Sequence, residues 1–302
     1  MTFILLSGTA FKSLLYRTEF ARSTMRASKA HTKIFLISFL WLMMAGCAAT
    51  LPKLKTPLLP GEELVILATR PGVTVRLLMI TPNTVPNGTF LYFPGGDGSL
   101  VNTEGQGKWL YTRVFPERSF ITAMLDVPSD RPYGMIGGDR FRRSKEHLED
   151  VKKIIDFVNQ KWAQPIFLIG HSAGATSVGY IAAVIKDHRI GGIVLTGVVG
   201  EGSFATVPLH NITYPALFVH HKEDPCVSFE AALRQQQRLI NSPRVNFIEV
   251  LGGNRSREIN CSPRDPSRGK SWAHGFSGKE REVAIAITDW VTGKPIPDRI
   301  IP

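Results

Sequence analysis

Residues 165–185 read PIFLIGHSAGATSVGYIAAVI, and this stretch constrains the fold more than any other. Pro165 opens the apolar run Ile166-Phe167-Leu168-Ile169, which has the length and composition of a fully buried strand. Past the glycines, Val178, Ile181, Ala182 and Ile185 recur at the i, i+3, i+4, i+7 spacing of a helix. Between the two, Gly170-His171-Ser172-Ala173-Gly174 must turn the chain from strand to helix within a few residues. The pattern G-x-S-x-G alone arises by chance in roughly one chain in ten of this length. Its setting carries the weight, because strand, tight turn and helix are what a nucleophile elbow requires. The flanking glycines leave room for a strained serine and for a helix crossing close behind it. The helix N-terminus also aims backbone N–H groups at negative charge forming above Ser172. The competing reading is an ordinary serine in a glycine-rich turn.

The rest of the chain repeats the strand–helix alternation. ELVILAT and VTVRLLMI, joined around Pro71-Gly72, predict an opening hairpin. GTFLYFPGGDG is a strand ending in glycines, and FITAMLDVPSD is a strand ending in acids and a turn. Leu148, Val151, Ile154, Ile155, Val158 and Trp162 mark one face of an amphipathic helix over 142–162, with a charged, solvated opposite face. After the serine turn come the strands GGIVLTGVV and PALFVHH, a helix near 228–240, the strand VNFIEVL and a last helix near 279–292. Such alternation implies an α/β domain over 61–302 with a mostly parallel sheet covered on both faces. Residues 252–272 are polar and turn-rich, a long loop able to shape a pocket. Only about fifteen residues separate GGIVLTGVV from PALFVHH, too few for a large cap domain.

The N-terminus reads differently. Arg26, Lys29 and Lys33 precede an uninterrupted apolar stretch from Ile34 to Ala45, followed by Gly46-Cys47. Basic, apolar and small residues in that order form an export signal. The apolar stretch is short of the ~20 residues of a membrane span. Residues 1–24 lie outside this pattern, which predicts that translation starts at Met25. Met44-Ala45-Gly46-Cys47 resembles a bacterial lipobox, with methionine where leucine is more usual. That resemblance implies lipid on Cys47, a membrane anchor on an exported protein, and a periplasmic or cell-surface location; the competing reading is an ordinary cleaved signal or a signal anchor. The proline-rich segment 47–60 then reads as a tether between anchor and body. The formal net charge of +11 falls to +6 without residues 1–46, which hold six basic residues and one acid. A surplus of that size suits anionic headgroups. It does not point to nucleic acid, because no arginine-rich stripe interleaved with aromatics occurs. Of three cysteines, Cys226 and Cys261 remain once Cys47 carries lipid, and an oxidising compartment lets them pair, two buried free thiols being the alternative.

A serine hydroxyl needs a base to take its proton and an acid to orient that base. Eight histidines are available. His31 lies in the signal, His188 in a polar segment, His147 on the charged helix and His210 in an undistinguished loop. His171 is inside the turn and points away from its neighbour's hydroxyl. His274 stands in WAHGF, after the long loop and before the last helix, where it can swing over the serine. Asp224, beyond the end of PALFVHH, can accept the other ring N–H of His274; the adjacent Glu223 is its rival. The order Ser172, Asp224, His274, together with GHSAG, HHKEDPC, AHGF and FPGGDG at strand ends, resembles the α/β-hydrolase superfamily over 61–302. The resemblance implies an oxyanion hole made by the Ala173 and Gly96 N–H groups. Pro94 replaces the family's histidine in that second turn, and Asp97 is the neighbouring candidate. A Cys226–Cys261 disulfide would tie the acid's loop to the base's loop.

Other signals are weaker. His220 and His221 with Asp224 suggest a metal, but adjacent strand histidines point to opposite faces. Gly269-Lys270-Ser271 ends like a phosphate loop, yet Arg264 stands where glycine is required. Ser267 and Lys270 match S-x-x-K in letters only. Asn87, Asn211 and Asn254 begin glycosylation sequons, which matter little in bacterial export. The expectation is a cofactor-free, metal-free serine hydrolase acting on a small acyl substrate, with an ester as the default. Peptidase, thioesterase and acyltransferase chemistry use the same triad. The rival class is a non-catalytic, ligand-binding lipoprotein on this fold.

Overall fold

The computed structural model describes residues 53–54, 57–103, 113–135, 139–199, 204–256, 258–261, 267 and 269–302. The export signal, Met25 and Cys47 lie outside the described residues. By its internal contacts the chain divides after Ala48, and every described residue belongs to the second unit. Among the described residues no helix is long and apolar enough to cross a membrane.

Nine strands form one sheet: β1 (Glu62–Arg70), β2 (Val73–Ile80), β3 (Gly88–Phe93), β4 (Phe120–Pro128), β5 (Ile166–His171), β6 (Ile190–Thr196), β7 (Ala216–His221), β8 (Val245–Val250) and β11 (Arg299–Ile300). Their order across the sheet is β1-β2-β4-β3-β5-β6-β7-β8-β11. The β1–β2 hairpin and the β2–β4 pair are antiparallel, and every other pair is parallel. Parallel strands need crossovers that cover both faces, so their side chains are buried on both sides. All residues of β3, β5 and β7 are buried accordingly. The period-two alternation of a strand divides β5 between two cores. Ile166 and Leu168 join one core with α1 (Lys145–Trp162) and α2 (Ala173–Val184). Phe167 and Ile169 join the other with α4 (Glu280–Val291).

The periodic segments form where their spacing places them, and three short features do not announce themselves. The helix expected near 228–240 is α3 (Phe229–Gln236). Beyond it, Arg238 N–H and Leu239 N–H donate three residues back, to Gln235 and Gln236 carbonyls. This tightening ends the helix and lets Leu239 reach the core. Within the expected loop 252–272, β9 (Ile259–Asn260) pairs antiparallel with β10 (Lys270–Ser271). At the C-terminus β11 adds a parallel edge to β8. Two-residue strands are too short to carry periodicity.

One expectation needs correction. His147 is not on the solvated face of α1: it is 5% exposed. Its ring sits 5.4 Å from that of Phe141 and 6.1 Å from that of Phe93. Leu54, within the proline-rich segment, packs against the second of the two cores. Between β6 and β7, the turns Phe204–Thr206 and Leu209–Asn211 bury Phe204, Val207 and Leu209 in the core of α2. This packed connection leaves no large cap among the described residues.

Candidate active site

One row of residues runs across the parallel strands: Phe93 beside Gly170, Gly170 beside Leu195, Leu195 beside Phe218, Phe218 beside Phe247. The strand ends therefore emerge at a common rim, where open α/β sheets place their ligands. Ser172 lies two residues past that row, the Pro94–Asp97 turn directly past it, and Asp224 past the end of β7.

Ser172 has φ 52° and ψ −123°, a conformation rare for any residue but glycine. It occupies the N-cap of α2, yet its side chain makes no capping bond. Ser144 and Ser228, at the same position before α1 and α3, have extended backbones and accept from the N–H groups of His147 and Ala231. The Ser172 hydroxyl is thus held out of the cap by the backbone itself. Steric crowding enforces the turn. A Cβ on Gly174 would lie 2.0 Å from the Phe93 carbonyl oxygen, and one on Gly170 would lie 2.6 Å from the Gly174 carbonyl oxygen. Both glycines of the pattern are required by this close crossing of helix and strands.

Asp224 and His274, fifty residues apart, meet in a 2.7 Å hydrogen bond between Oδ2 and Nδ1, and both are buried. The second oxygen of Asp224 accepts from Cys226 N–H at 2.9 Å. Burial raises the carboxyl's affinity for a proton, but the charge and hydrogen bond of His274, the charge of His220 and the Cys226 N–H outweigh it. The net displacement is downward, which keeps Asp224 ionised. An ionised carboxylate takes a proton donor, so in the neutral ring the Nδ1 tautomer is the favoured one, with Nε2 as the basic nitrogen. The His274 backbone is pinned by its N–H to Ser271 Oγ, at 3.0 Å. Glu223, the rival acid, instead meets Arg255 at the surface, at 3.0 Å.

The disulfide joins Cys226 to Cys261, with Cα atoms 5.1 Å apart. Cys226 follows Asp224 by two residues, and Cys261 N–H donates to the Gly269 carbonyl beside β10. Asp224, Cys226 and His274 also bring three potential metal-ligand atoms within 4.8 Å of one another. A disulfide sulfur is not a thiolate, so this set does not suit a metal. His220 and His221 are occupied separately: the Nε2 of His220 contacts the Val227 carbonyl, and that of His221 the Gly252 carbonyl.

His274 packs against His171, with ring centroids 4.9 Å apart. His171 Nδ1 bonds Thr196 Oγ1 at 3.0 Å. Burial, then the His274 charge, push its pKa down to about 3 and keep it neutral. Ser172 itself is half-buried and forms no side-chain hydrogen bond to His274. On the other side, a Cβ on Gly95 would sit 3.0 Å from Ser172 Cβ, so the glycine turn abuts the serine. The Gly95, Gly96 and Ala173 N–H groups find no acceptor among the described residues. Arg142 was not legible as part of this region. It is 1% exposed and reaches the turn through the Pro94 and Gly96 carbonyls. Nothing in the sequence Asp139-Arg140-Phe141-Arg142-Arg143 singles it out from its neighbours.

No protein-family profile and no curated protein sequence matches the chain. Solved structures do. The dienelactone hydrolase of Anabaena variabilis superposes with a TM-score of 0.58 at 14% identity, over 78% of this chain and 99% of that one. XC6422 of Xanthomonas campestris, an α/β serine hydrolase without a lid, gives 0.55 at 15% identity, over 79% and 97%. Est1E of Butyrivibrio proteoclasticus gives 0.51 at 15% identity, over 77% and 98%. At such identities the likeness establishes architecture. The chain has the α/β-hydrolase fold, with a mostly parallel central sheet and helices on both faces.

Proposed function

We propose that this protein is a serine hydrolase that cleaves an acyl bond, with a carboxylic ester as its default substrate. The observation that carries the reading is the conformation of Ser172, strained and withheld from its helix cap, at the rim that also holds the bonded pair Asp224–His274. In this reading His274 Nε2 takes the Ser172 hydroxyl proton as Oγ attacks the acyl carbonyl. Asp224 fixes the tautomer and stabilises the imidazolium. The developing oxyanion accepts from the Gly96 and Ala173 N–H groups. Imidazolium then protonates the leaving alkoxide, which departs as an alcohol and leaves the acyl-enzyme. Water gives a proton to His274 as it attacks the acyl carbon, and that proton returns to Ser172 Oγ when the acid leaves. Ser172 and His274 share no hydrogen bond as they stand, and in this reading that bond forms when substrate binds. An esterase domain from Rhodothermus marinus and a dienelactone hydrolase among the structural neighbours support ester chemistry. The neighbour described as lidless agrees with the short connection between β6 and β7.

The signal pattern ending at Cys47 supports a lipid-anchored, exported enzyme whose surface charge suits a membrane. A fluorophosphonate probe tests the chemistry directly. The native protein is expected to take up one adduct, on Ser172, and Ser172→Ala to take up none while keeping its circular dichroism. A folded native protein that stays unlabelled would make it a binder instead.

A further inference from the structure

We propose that Arg142 is a positioning residue for catalysis, holding the Pro94–Asp97 turn so that its N–H groups face the developing oxyanion. The inference rests on the hydrolase reading above and concerns a side chain that never touches substrate. Arg142 ends the short helix Asp139–Arg142 and is 1% exposed. One of its terminal nitrogens donates to the Pro94 carbonyl at 3.1 Å and to the Gly96 carbonyl at 3.2 Å. The other donates to Ser177 Oγ on α2, the helix that Ser172 precedes, at 3.1 Å. A single guanidinium thus fastens the glycine turn to the helix of the serine.

The remaining carbonyls of the turn are fixed as well. Gly95 O accepts from Gly98 N–H at 2.9 Å, and Asp97 O from Met135 N–H at 2.7 Å. A trans peptide is planar, and its N–H points opposite to its C=O. Fixing the carbonyls of Pro94, Gly95 and Gly96 therefore fixes three consecutive peptide planes, and with them the next N–H in each. Of these, the Gly95 and Gly96 N–H groups have no acceptor among the described residues. Successive amides left open in this way form a concavity for an anion. Gly96 has φ 54°, which gives the turn no intrinsic preference for this geometry over others open to glycine. The guanidinium supplies what the glycines lack. Lysine cannot replace it, because one ammonium cannot span two carbonyls and a hydroxyl from a planar fork.

The test compares native protein with Arg142→Lys on a chromogenic short-chain ester and on an alkylboronic acid, whose adduct on serine needs the oxyanion site. The expected result is a kcat reduced about tenfold to a hundredfold, a KM within about threefold of native, and boronate affinity weakened in proportion to kcat. Unchanged kcat, or kcat and boronate affinity that part company, would overturn the proposal. If Arg142→Lys does not fold, Ser177→Ala removes one anchor of the guanidinium. There a kcat down by about threefold at unchanged KM supports the role, and an unchanged kcat rejects it. Fluorophosphonate labelling separates the two ideas: native protein that labels Ser172 while Arg142→Lys turns over normally retains the hydrolase and loses only this role. Native protein that does not label loses both.

Discussion

Ser144, Ser172 and Ser228 each stand immediately before a helix, and only the middle one forgoes the bond that serine makes best there. A positive φ at a non-glycine residue costs about 1–3 kcal/mol, and Ser172 gains no cap in return. Glycine adopts φ 52° without a Cβ penalty, though it is more costly to order by about 0.5–1 kcal/mol. Ser172→Gly is therefore expected to be more stable than the native chain by about 1 kcal/mol, a rise of roughly 2–4 °C in Tm, and catalytically dead. Calorimetry checks this, and a comparable fall in Tm would mean that the turn is relaxed with serine in it. Asp224 carries a different obligation. Asp224→Asn keeps the shape of the side chain but offers His274 Nδ1 no anion, which favours the wrong tautomer. Its kcat is expected to fall about 10⁴-fold with KM little changed, measured by steady-state ester hydrolysis.

At the scale of elements, the site depends on loops as much as on the sheet. Asp224 and His274 both lie on connections, and the Cys226–Cys261 bond holds those connections together. Closing a loop of 35 residues removes about 3–4 kcal/mol of unfolded-chain entropy in the usual treatment. Cys226→Ser with Cys261→Ser is expected to lose stability of that order, read from the denaturant midpoint. It should also lose kcat, because the Cys226 N–H that steadies Asp224 moves with its loop. A double variant with native midpoint and native kcat would make the bond incidental. The sheet was legible in the sequence because β3, β5 and β7 are buried on both faces and so read as continuous apolar runs. The serine turn was legible because steric crowding at Gly170 and Gly174 leaves the chain no substitute. Pairings between remote loops were a different matter. Position at strand ends suggested Asp224 for His274, but only folded coordinates separate it from Glu223, which turns to Arg255. His147 was misread because its neighbours Lys145, Glu146 and Glu149 are charged, while the one helical face it occupies is covered by Phe93 and Phe141. Arg142 was invisible for the same reason: its burial is decided by what packs over it and not by its own chemistry.

Taken as one body, the molecule encloses several imidazoles that are neutral when folded. Burial, followed by the charges of Arg142 and Arg70, pushes the pKa of His147 down to about 3, and burial followed by the charge of His274 does the same to His171. Burial displaces His220 in the same direction. In the unfolded chain each titrates near 6.5. A base whose folded pKa is depressed contributes its full stability above about pH 6.5, and loses it as pH falls through the window down to about 3. Well inside that window each such group weakens the fold by about 1.4 kcal/mol per pH unit, and by about half that at pH 6.5, where the unfolded ring is half protonated; His147 and His171 together therefore take away about 3 kcal/mol between pH 6.5 and pH 5. Asp224, held below its ordinary value, withdraws its contribution only in stronger acid, whereas Asp126 and Asp150, raised first by burial, gain protons in the fold and oppose the loss. The fold should therefore weaken steeply between pH 6.5 and pH 5, before ordinary carboxylate titration. His147→Phe keeps an aromatic ring against Phe93 and Phe141 and removes one of these protons, so its stability should fall with a shallower slope while ester hydrolysis at pH 7.5 persists. Denaturant midpoints at half-unit pH intervals decide the matter. A native protein equally stable at pH 7 and pH 5 would mean that water reaches these rings and protonates them in place.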